Sequence, residues 1–436
     1  MLRSNPQRVA WMTVVGALAV FCVMCLGTYT LAHWVVYESP IQLNVVLHVG
    51  KGTVGLAEPG NDEKAERGTA PVARNDVLRT DSVSQGYLAF SDPYSGDVIA
   101  TVMMHSDSQT KLRTASRPRF SWSDNPYVIR LADVTGPVEV WVASGVDREI
   151  RLEIISPLGT LHIEEAGNYL LDITPDSITV TPRVGSATLI SATGQAQHLT
   201  EPSAGLIQQS EPDISMIDGP LELLSNWNFA KGDDWPVEWR CTDEYSADYQ
   251  DVPPANLDFT TFDGRDVIHI ERMQPNPGAH KTRCIQVLGG PDGLDVRDYD
   301  SVRLRVTMQV HHQSLSACGI AGTECPVMLQ ISYVSENGES RRWIHGFYAN
   351  YEPSLGGEKN CAECWGDHEF INKDAWYTYE SGNLFTILPE GWRPSAITEI
   401  HFFAGGHQYD VMLSEVALLA EHPTDTVTDE AASAGE

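Results

Sequence analysis

Positive charge is scarce in this sequence, which has 29 lysines and arginines against 59 aspartates and glutamates and a formal net charge of −30. A negative surface repels nucleic acid and anionic lipid, so we expect no nucleic-acid partner. Catalytic motifs are missing too, because no G-x-S-x-G, Walker or H-E-x-x-H pattern occurs. The chain is nevertheless 42% hydrophobic and has 11 tryptophans, which excludes a wholly disordered protein.

Charged side chains are absent from a long apolar run, Trp11 to Val36. The run exceeds the roughly 20 residues that a helix needs to cross a bilayer. Two arginines precede it, so the positive-inside tendency places the N-terminus in the cytoplasm and the rest of the chain outside. We predict a cytoplasmic tail at residues 1–10, a transmembrane anchor at 11–36, and a single-pass cell-membrane protein that is mostly extracytoplasmic. A cleavable signal peptide is the alternative.

Cysteine is absent from residues 26–240, and six of the eight cysteines follow that gap. An even number in an exported region indicates disulfides in an oxidising compartment. Six cysteines allow 15 pairings, but loop closure favours pairs that are close in sequence. The near pairs are Cys318–Cys325 and Cys361–Cys364, which leaves Cys241–Cys284 as the third expected disulfide.

Cys361-Ala-Glu-Cys364 has two other interpretations, a redox pair or half of a zinc site with His345 or His368. A redox pair needs the strand-to-helix context of a thioredoxin-like fold, which the pattern lacks. A zinc site needs a second pair of ligands at a defined spacing, and His311-His312 does not supply it. A structural disulfide is therefore favoured over both.

Helical periodicity is missing outside the apolar run. Short segments rich in β-branched residues recur instead, with Gly, Pro, Asp and Asn between them. Recurrent short strands without crossover helices indicate an all-β sandwich or barrel. We predict two β domains, at 38–205 and 221–422, joined by a linker at 206–220. The acidic segment 423–436 has no aromatic residue and is predicted to be a disordered tail.

Gly50-Lys-Gly-Thr-Val-Gly55 matches the glycine spacing of a dinucleotide-binding loop. A dinucleotide site also needs a helix directly after the glycines, to hold the pyrophosphate at its N-terminus. Here a polar loop broken by Pro59 and Gly60 follows, so the glycines indicate turns.

Turn signals in the first predicted domain carry a family resemblance. They are Gly68-Thr-Ala-Pro-Val-Ala-Arg-Asn-Asp-Val-Leu-Arg-Thr80, Gly86-Tyr-Leu-Ala-Phe90, Ser156-Pro-Leu-Gly159 and Gly167-Asn-Tyr-Leu-Leu171. Over about residues 48–205 the chain resembles the FecR-like extracytoplasmic domain, in which a Gly-Asp-x-hydrophobic-x-Thr turn precedes a strand. Asn75 stands where that family commonly has glycine, and asparagine also tolerates a left-handed turn.

The FecR resemblance implies a β-rich domain outside the membrane, whose best-known relatives pass signals to an inner-membrane regulatory system. Those regulators carry a cytoplasmic segment that contacts a sigma factor. Only about ten residues precede the apolar run here, which is too few for such a segment. The resemblance therefore implies fold and location, and not the sigma-factor role.

The two ends of the second predicted domain resemble a galactose-binding-like jelly roll. Asn226-Trp-Asn-Phe-Ala-Lys-Gly232 is similar to its first strand, and Tyr409-Asp-Val-Met-Leu-Ser-Glu-Val-Ala-Leu-Leu419 to its last. Carbohydrate-binding modules have this fold, so the resemblance implies that the distal domain binds a glycan. In related modules an acidic residue of the last strand helps to bind a structural calcium ion, for which Asp410 and Glu415 are the candidates.

Aromatic residues between the predicted strands are the candidate glycan ligands, because sugar rings stack their apolar faces on aromatic side chains. The candidates, expected in exposed loops, are Trp343, His345, Tyr348, Trp365, Trp376 and Tyr377. The alternative is that these side chains pack the interior of the sandwich.

Together these features predict a membrane-anchored binding or sensing protein without catalytic activity. One alternative is an envelope signalling or scaffold component that acts through a protein partner. The other is a glycoside-active enzyme, which would need a cleft with two carboxylates about 5–10 Å apart.

Overall fold

The computed structural model describes residues 6–230, 238–245, 253–274 and 278–422 of the chain. Strands dominate it, so the all-β prediction is confirmed. The described helical segments are α1 (Pro6–His33), which continues as a π-helix (Trp34–Glu38), α2 (Leu384–Ile387), and two 3₁₀ turns (Gly290–Asp292 and Pro353–Leu355). The predicted acidic tail at 423–436 lies outside the described residues.

Helix α1 is the apolar run expected from the sequence. Residues 7–38 form one helical stretch, whose most apolar 18-residue window has a mean hydropathy of 2.4 and is not buried. By length and composition it is able to cross a membrane, and a signal sequence shares both properties. The C-terminal end of the helical stretch is hydrogen-bonded to the β structure that follows, because Trp122 Nε1 donates to the carbonyl oxygen of Val36 at 3.2 Å.

Eighteen strands make up the first β unit. They are β1 (Pro40–Gln42), β2 (Asn44–Lys51), β3 (Val54–Ala57), β4 (Lys64–Glu66), β5 (Thr69–Pro71), β6 (Val77–Thr80), β7 (Gln85–Ser91), β8 (Val98–Met104), β9 (Gln109–Pro118), β10 (Tyr127–Val142), β11 (Ile150–Ile155), β12 (Gly159–Ile163), β13 (Gly167–Ile173), β14 (Ser177–Val184), β15 (Ser186–Ser191), β16 (Ala196–Thr200), β17 (Ser203–Gln208) and β18 (Glu211–Asp218).

Strand β10 belongs to both sheets of the first β unit. One sheet runs β5-β2-β7-β8-β10-β13-β14-β17-β18, and the other runs β4-β3-β6-β9-β10-β11-β12-β15-β16 with β1 also on β9. The strand bends where Asp133 and Gly136 have positive φ angles of 53° and 86°. The two sheets enclose a mostly aliphatic core without tryptophan.

The predicted linker at 206–220 is wrong, because β17 and β18 form a hairpin there. Strand β17 also pairs with β14, and Ile207 is completely buried in the core of the first β unit. The composition that suggested a linker belongs largely to β18, a mostly exposed edge strand that needs few apolar residues. The other predicted domain limits stay predictions.

The described residues of the second β unit form thirteen strands. They are β19 (Leu221–Glu222), β20 (Arg240–Tyr245), β21 (Asn256–Phe262), β22 (Arg265–Arg272), β23 (His280–Val287), β24 (Leu294–Asp295), β25 (Ser301–Gln313), β26 (Val327–Ser335), β27 (Ser340–Tyr348), β28 (Glu369–Phe370), β29 (Tyr377–Glu380), β30 (Pro394–Gly406) and β31 (Tyr409–Glu421).

Two sheets of the second β unit face each other as a sandwich. The six-stranded sheet runs β21-β22-β31-β25-β29 with β19 on β31, and the seven-stranded sheet runs β20-β23-β30-β26-β27-β28 with β24 on β30. Its core is richer in aromatic side chains than that of the first unit, with Trp239, Trp343, Phe347 and Phe402 between the sheets. Each sheet also has an outer face, which points away from this core.

The outer face of the six-stranded sheet packs on the first β unit, and we call these touching surfaces the contact face. Arg305 of β25 pairs there with Glu139 of β10 and with Glu415 of β31, the latter at 3.2 Å. Arg183 of β14 pairs with Glu415 and, at 3.0 Å, with Glu222. Each unit therefore contributes a buried arginine that pairs with a glutamate of the other unit.

The cysteines pair as predicted. Disulfides join Cys241 to Cys284, Cys318 to Cys325 and Cys361 to Cys364. The first lies between neighbouring strands β20 and β23, and the other two close short loops beside the seven-stranded sheet.

Candidate ligand-binding cleft

Five of the six predicted glycan-binding side chains are buried, so the expectation of exposed loops is wrong for them. They are Trp343, His345, Tyr348, Trp376 and Tyr377, each with at most 7% of its surface exposed. All five lie on or directly beside strands, where alternate residues point into the protein. Tyr348 is covered by the loops that the cysteines close. None of these side chains offers a free ring face to a sugar.

Two of these aromatic residues help to join the two units instead. Trp376 packs with Tyr87 of the first unit in one buried apolar cluster. The Tyr377 hydroxyl donates to Glu369 at 2.7 Å, and Lys51 of the first unit bonds the same carboxylate at 2.5 Å. Both side chains hold the two units together.

Glu369 stays ionised at this junction. Burial alone would raise the pKa of its carboxyl, but His345, the Lys51 ammonium and the Tyr377 hydroxyl lower it to about 2. Burial also raises the pKa of Tyr377 well above its ordinary value of 10, so this hydroxyl keeps its proton. The Glu369 carboxylate therefore stays charged and links the two units through its ion pair with Lys51.

The calcium prediction is not supported by the surroundings of Asp410 and Glu415. The Glu415 carboxylate lies against the two guanidinium groups of Arg183 and Arg305 and accepts from Thr307 at 3.0 Å. Asp410 is bonded to His269 Nε2 at 2.7 Å. Calcium needs six to eight oxygen ligands, whereas cations and hydrogen-bond donors already occupy these oxygens. We correct the assignment of Glu415 from calcium ligand to ion-pair partner.

Trp365 is the one candidate that remains partly exposed, and it lines a cleft of about 700 Å³ beside strands β26, β27 and β30 of the seven-stranded sheet. The cleft also has a second indole, Trp392, whose side chain is 43% exposed. Its remaining walls are Ser332, Tyr333, Val334, Ser340, Arg341, Arg342, Ala362, Glu363, Cys364, Leu388 and Thr398.

Local structure positions both indoles at the mouth of the cleft. The backbone N–H of Trp365 donates to the carbonyl oxygen of Ile344 in β27 at 2.8 Å, which fixes the segment after the Cys361–Cys364 disulfide. Trp392 ends a turn in which its N–H donates to Pro389 O at 2.9 Å. The Arg341 guanidinium lies 3.9 Å from the centroid of the Trp392 ring, a cation–π contact that orients the indole.

Polar groups surround the indoles. Arg342 and Glu363 form an ion pair at 2.6 Å, and each side chain is more than half exposed. Serine and threonine hydroxyls of β26, β27 and β30 line the floor. Among the described lining residues Glu363 is the one carboxylate, so the cleft lacks the facing pair that glycoside hydrolysis requires. The arrangement suits stacking and hydrogen bonding.

Sequence reasoning missed Trp392, Arg341 and Arg342. A usable signal existed for the first, because Pro389-Glu-Gly-Trp-Arg-Pro394 places a tryptophan in a turn, where apolar side chains are seldom buried. The two arginines carry no such signal. Their place beside Trp392 depends on the pairing of β26 with both β27 and β30.

A larger cleft of about 970 Å³ lies near the end of α1, lined mostly by the first β unit and also by the β21–β22 hairpin of the second. Its deep side chains are already paired, since Arg117 bonds Asp92 and the Tyr127 hydroxyl donates to Asp92 at 2.6 Å. Trp122 at its rim is bonded to the end of α1. Because it lies beside a helix that can enter a membrane, we favour the cleft of the seven-stranded sheet as the ligand site.

No family model and no curated protein matches the chain. Among solved structures, a candidate anti-sigma factor from Parabacteroides distasonis is 10% identical, with 33% of this chain covered and a TM-score of 0.24. The match covers 59% of that protein, so the chain spans about three fifths of its length.

Two carbohydrate-binding modules are similar at the same level. The family 11 module of the cellulosomal cellulase Lic26A-Cel5E of Clostridium thermocellum is 13% identical, with 48% of this chain and 98% of that one covered and a TM-score of 0.25. TmCBM61, solved in complex with beta-1,4-galactotriose, is 11% identical, with 46% and 99% covered and a TM-score of 0.25. Similarity this slight carries no inference, and the FecR and jelly-roll resemblances stay hypotheses.

Proposed function

We propose that this chain is a membrane-anchored, extracytoplasmic binding protein whose second β unit binds a glycan in the cleft of Trp365 and Trp392. One observation carries the proposal: two partly exposed indoles share a cleft of about 700 Å³ with two arginines and several hydroxyls. Ligand sites are typically clefts of about 300–1,000 Å³ with aromatic walls and a few polar groups.

A glycan fits the chemistry of this cleft better than an apolar ligand does. Indole faces pack on the apolar faces of pyranose rings, and a tryptophan that is already held by Arg341 loses little conformational entropy on binding. The guanidinium groups and hydroxyls donate to sugar oxygens, and the Glu363 carboxylate accepts from sugar hydroxyls. A fully apolar ligand would leave these polar groups without partners, at a cost in affinity.

Binding without catalysis is part of the proposal. A single carboxylate among the described lining residues, already paired with Arg342, supports it. Helix α1 supports membrane anchoring, since it is apolar along its length and its end is bonded to the first β unit. In this arrangement the anchor holds the cleft outside the membrane.

A glycan array tests the proposal, with the purified full chain in detergent. We expect binding to a defined group of glycans, and at least about tenfold weaker binding, close to 1.4 kcal/mol, by a Trp365→Ala/Trp392→Ala variant. Trp122→Ala is the matched control, because it removes an exposed indole of the first unit and should leave glycan binding unchanged.

Two outcomes would contradict the glycan proposal. One is a folded full chain that binds no glycan at high concentration, which would favour a protein partner and a scaffold role. The other is equal binding by the parent and the Trp365→Ala/Trp392→Ala variant, which would place the glycan elsewhere on the molecule.

A further inference from the structure

Four cysteines and one histidine converge beside the cleft, on the outer face of the seven-stranded sheet. We call Cys318, Cys325, Cys361, Cys364 and His368 the cysteine cluster. The sulfurs of Cys318 and Cys325 lie within 4.8 Å of each other and of a His368 ring nitrogen. The sulfurs of Cys361 and Cys364 form a second such group, also within 4.8 Å of each other and of a ring nitrogen of His368. One imidazole is thus within reach of both cysteine pairs.

Two loops bring these pairs together by backbone packing. The N–H of Cys318 donates to Glu358 O at 3.2 Å, and the N–H of Glu358 donates to Gly319 O at 2.8 Å. The loops touch so closely that a Cβ on Gly322 would lie 1.8 Å from the carbonyl oxygen of Asn360. Glycine is therefore required there, and it lets distant parts of the sequence share one site.

The His368 ring is arranged as that of a metal ligand. Its Nε2 lies 2.8 Å from the carbonyl oxygen of Gly322, and because a carbonyl only accepts, Nε2 carries the proton. The Nδ1 lone pair is then free. Metal-binding histidines commonly donate their other N–H to a backbone carbonyl in this way, which fixes the tautomer and the ring orientation.

The free nitrogen of His368 is buried. The residue is 4% exposed, and Nδ1 has no hydrogen-bond partner among the described residues. A Cβ added to Gly346 would meet both Cys325 Sγ at 2.4 Å and His368 Nδ1 at 2.9 Å, so this nitrogen faces the sulfurs across the glycine. A buried acceptor without a donor is costly, and a metal ion would satisfy it.

We propose that the cysteine cluster is a zinc site in the dithiol state of the protein, with His368 Nδ1 and cysteine thiolates from both loops as ligands. The sequence showed only the Cys361-x-x-Cys364 half, and the fold supplies the second pair, Cys318 and Cys325. Zinc prefers four tetrahedral nitrogen and sulfur ligands, with bonds of about 2.0–2.3 Å. Cys318 and Cys325 are fully buried, which indicates a closed structural site.

The two disulfides are the oxidised form of this site. Each takes two electrons and two protons from a dithiol reductant, which is itself oxidised to a disulfide. Zn²⁺ then replaces the protons of the coordinating thiols, and no electron passes to the metal. The zinc site and the glycan cleft are independent proposals, because metal content reports only on the first.

Zinc content of the full chain in detergent tests the proposal, measured after removal of free metal. One sample stays oxidised, and the other is reduced with a phosphine in the presence of zinc. We expect about one zinc ion per reduced chain and none in the oxidised chain. The reduced chain with Co²⁺ in place of zinc should show a thiolate-to-cobalt absorption band.

Matched variants locate the metal. His368→Gln should weaken zinc binding by at least about tenfold, and Cys361→Ser/Cys364→Ser should abolish the one-to-one binding. Cys241→Ser/Cys284→Ser removes the disulfide outside the cluster and should bind zinc like the parent. Circular dichroism checks that each variant is folded.

Three results would overturn the zinc site. They are a folded reduced chain that takes up no zinc, a reduced chain that unfolds even when zinc is present, and a His368→Gln variant that is folded and binds zinc as tightly as the parent.

Discussion

Arginine, glutamate and tryptophan occur both on the contact face and around the cleft of Trp365 and Trp392, which we call the cleft face. On the contact face, Arg305 lies between Glu139 and Glu415, and all three side chains are at most 5% exposed. On the cleft face, Arg342 pairs with Glu363, and these side chains are 53% and 62% exposed. Burial therefore separates a structural ion pair, which is costly to break, from a solvated pair that can exchange its partner for a ligand.

The two tryptophans show the same difference. Trp376 is completely buried on the contact face, with Arg265 5.4 Å from its ring centroid. Trp392 also lies beside an arginine, but 43% of its surface faces solvent. The residue types alone would not distinguish the face that joins the two units from the face that can bind a ligand.

The largest expected effect is on the contact face. Arg305→Ala leaves Glu139 buried without its main cation, so we expect a loss of about 3–5 kcal/mol in the free energy of unfolding. Arg342→Ala on the cleft face is the control and should cost less than about 1 kcal/mol. Denaturant titration of the full chain measures both, and equal losses would refute the contrast between the faces.

Truncating the tryptophans tests the same contrast with apolar side chains. Trp376→Ala should destabilise the protein by about 3–5 kcal/mol, because it opens a cavity between the units. Trp392→Ala should change the stability by about 1 kcal/mol or less, while it weakens glycan binding. A Trp392→Ala variant as unstable as Trp376→Ala would make Trp392 a structural residue.

Acid should weaken the contact face through His105. Burial and the Arg305 charge lower the pKa of this imidazole from 6.5 to about 4, although Glu139 and Glu380 oppose the shift. The folded state thus binds the proton less tightly than the unfolded state does. The neutral His105 ring therefore makes its full contribution to the free energy of unfolding above pH 6.5. That contribution is lost as the pH falls towards 4, by up to about 3 kcal/mol.

His105→Gln isolates that titration. Unfolding free energies of the parent and the variant, compared from about pH 7 to about pH 4.5, should show a steeper loss for the parent. Parallel curves would mean that His105 does not titrate between the folded and unfolded states.

The smallest expected effect concerns Gly50, where the first unit approaches the second. A Cβ there would lie 2.6 Å from the carbonyl oxygen of Trp376, so Gly50→Ala should cost about 1–3 kcal/mol. Gly68→Ala is the control, because no atom lies within 4 Å of its added Cβ. Thermal unfolding compares the two, and an unchanged Gly50→Ala midpoint would show that the units are not in close contact there.

Strands were predictable wherever apolar residues alternate with polar ones, as in Asn44–Lys51. The hairpin at 203–218 was not, since it contributes few side chains to the core and its composition matches that of a loop. For the ligand site, Trp365 was found and Trp392 was not. Aromatic content identifies candidates, but a side chain becomes exposed or buried only when the sheets pack.

Sequence by itself determined the apolar helix, the all-β class and the near-neighbour disulfides, because each depends on residues close together along the chain. Tertiary structure alone decided which faces are buried. It joined Arg183 to Glu415, 232 positions apart, and brought two cysteine loops to one histidine. Such pairs leave no local pattern, since the free energy of burying a charge or a sulfur depends on what the fold places beside it.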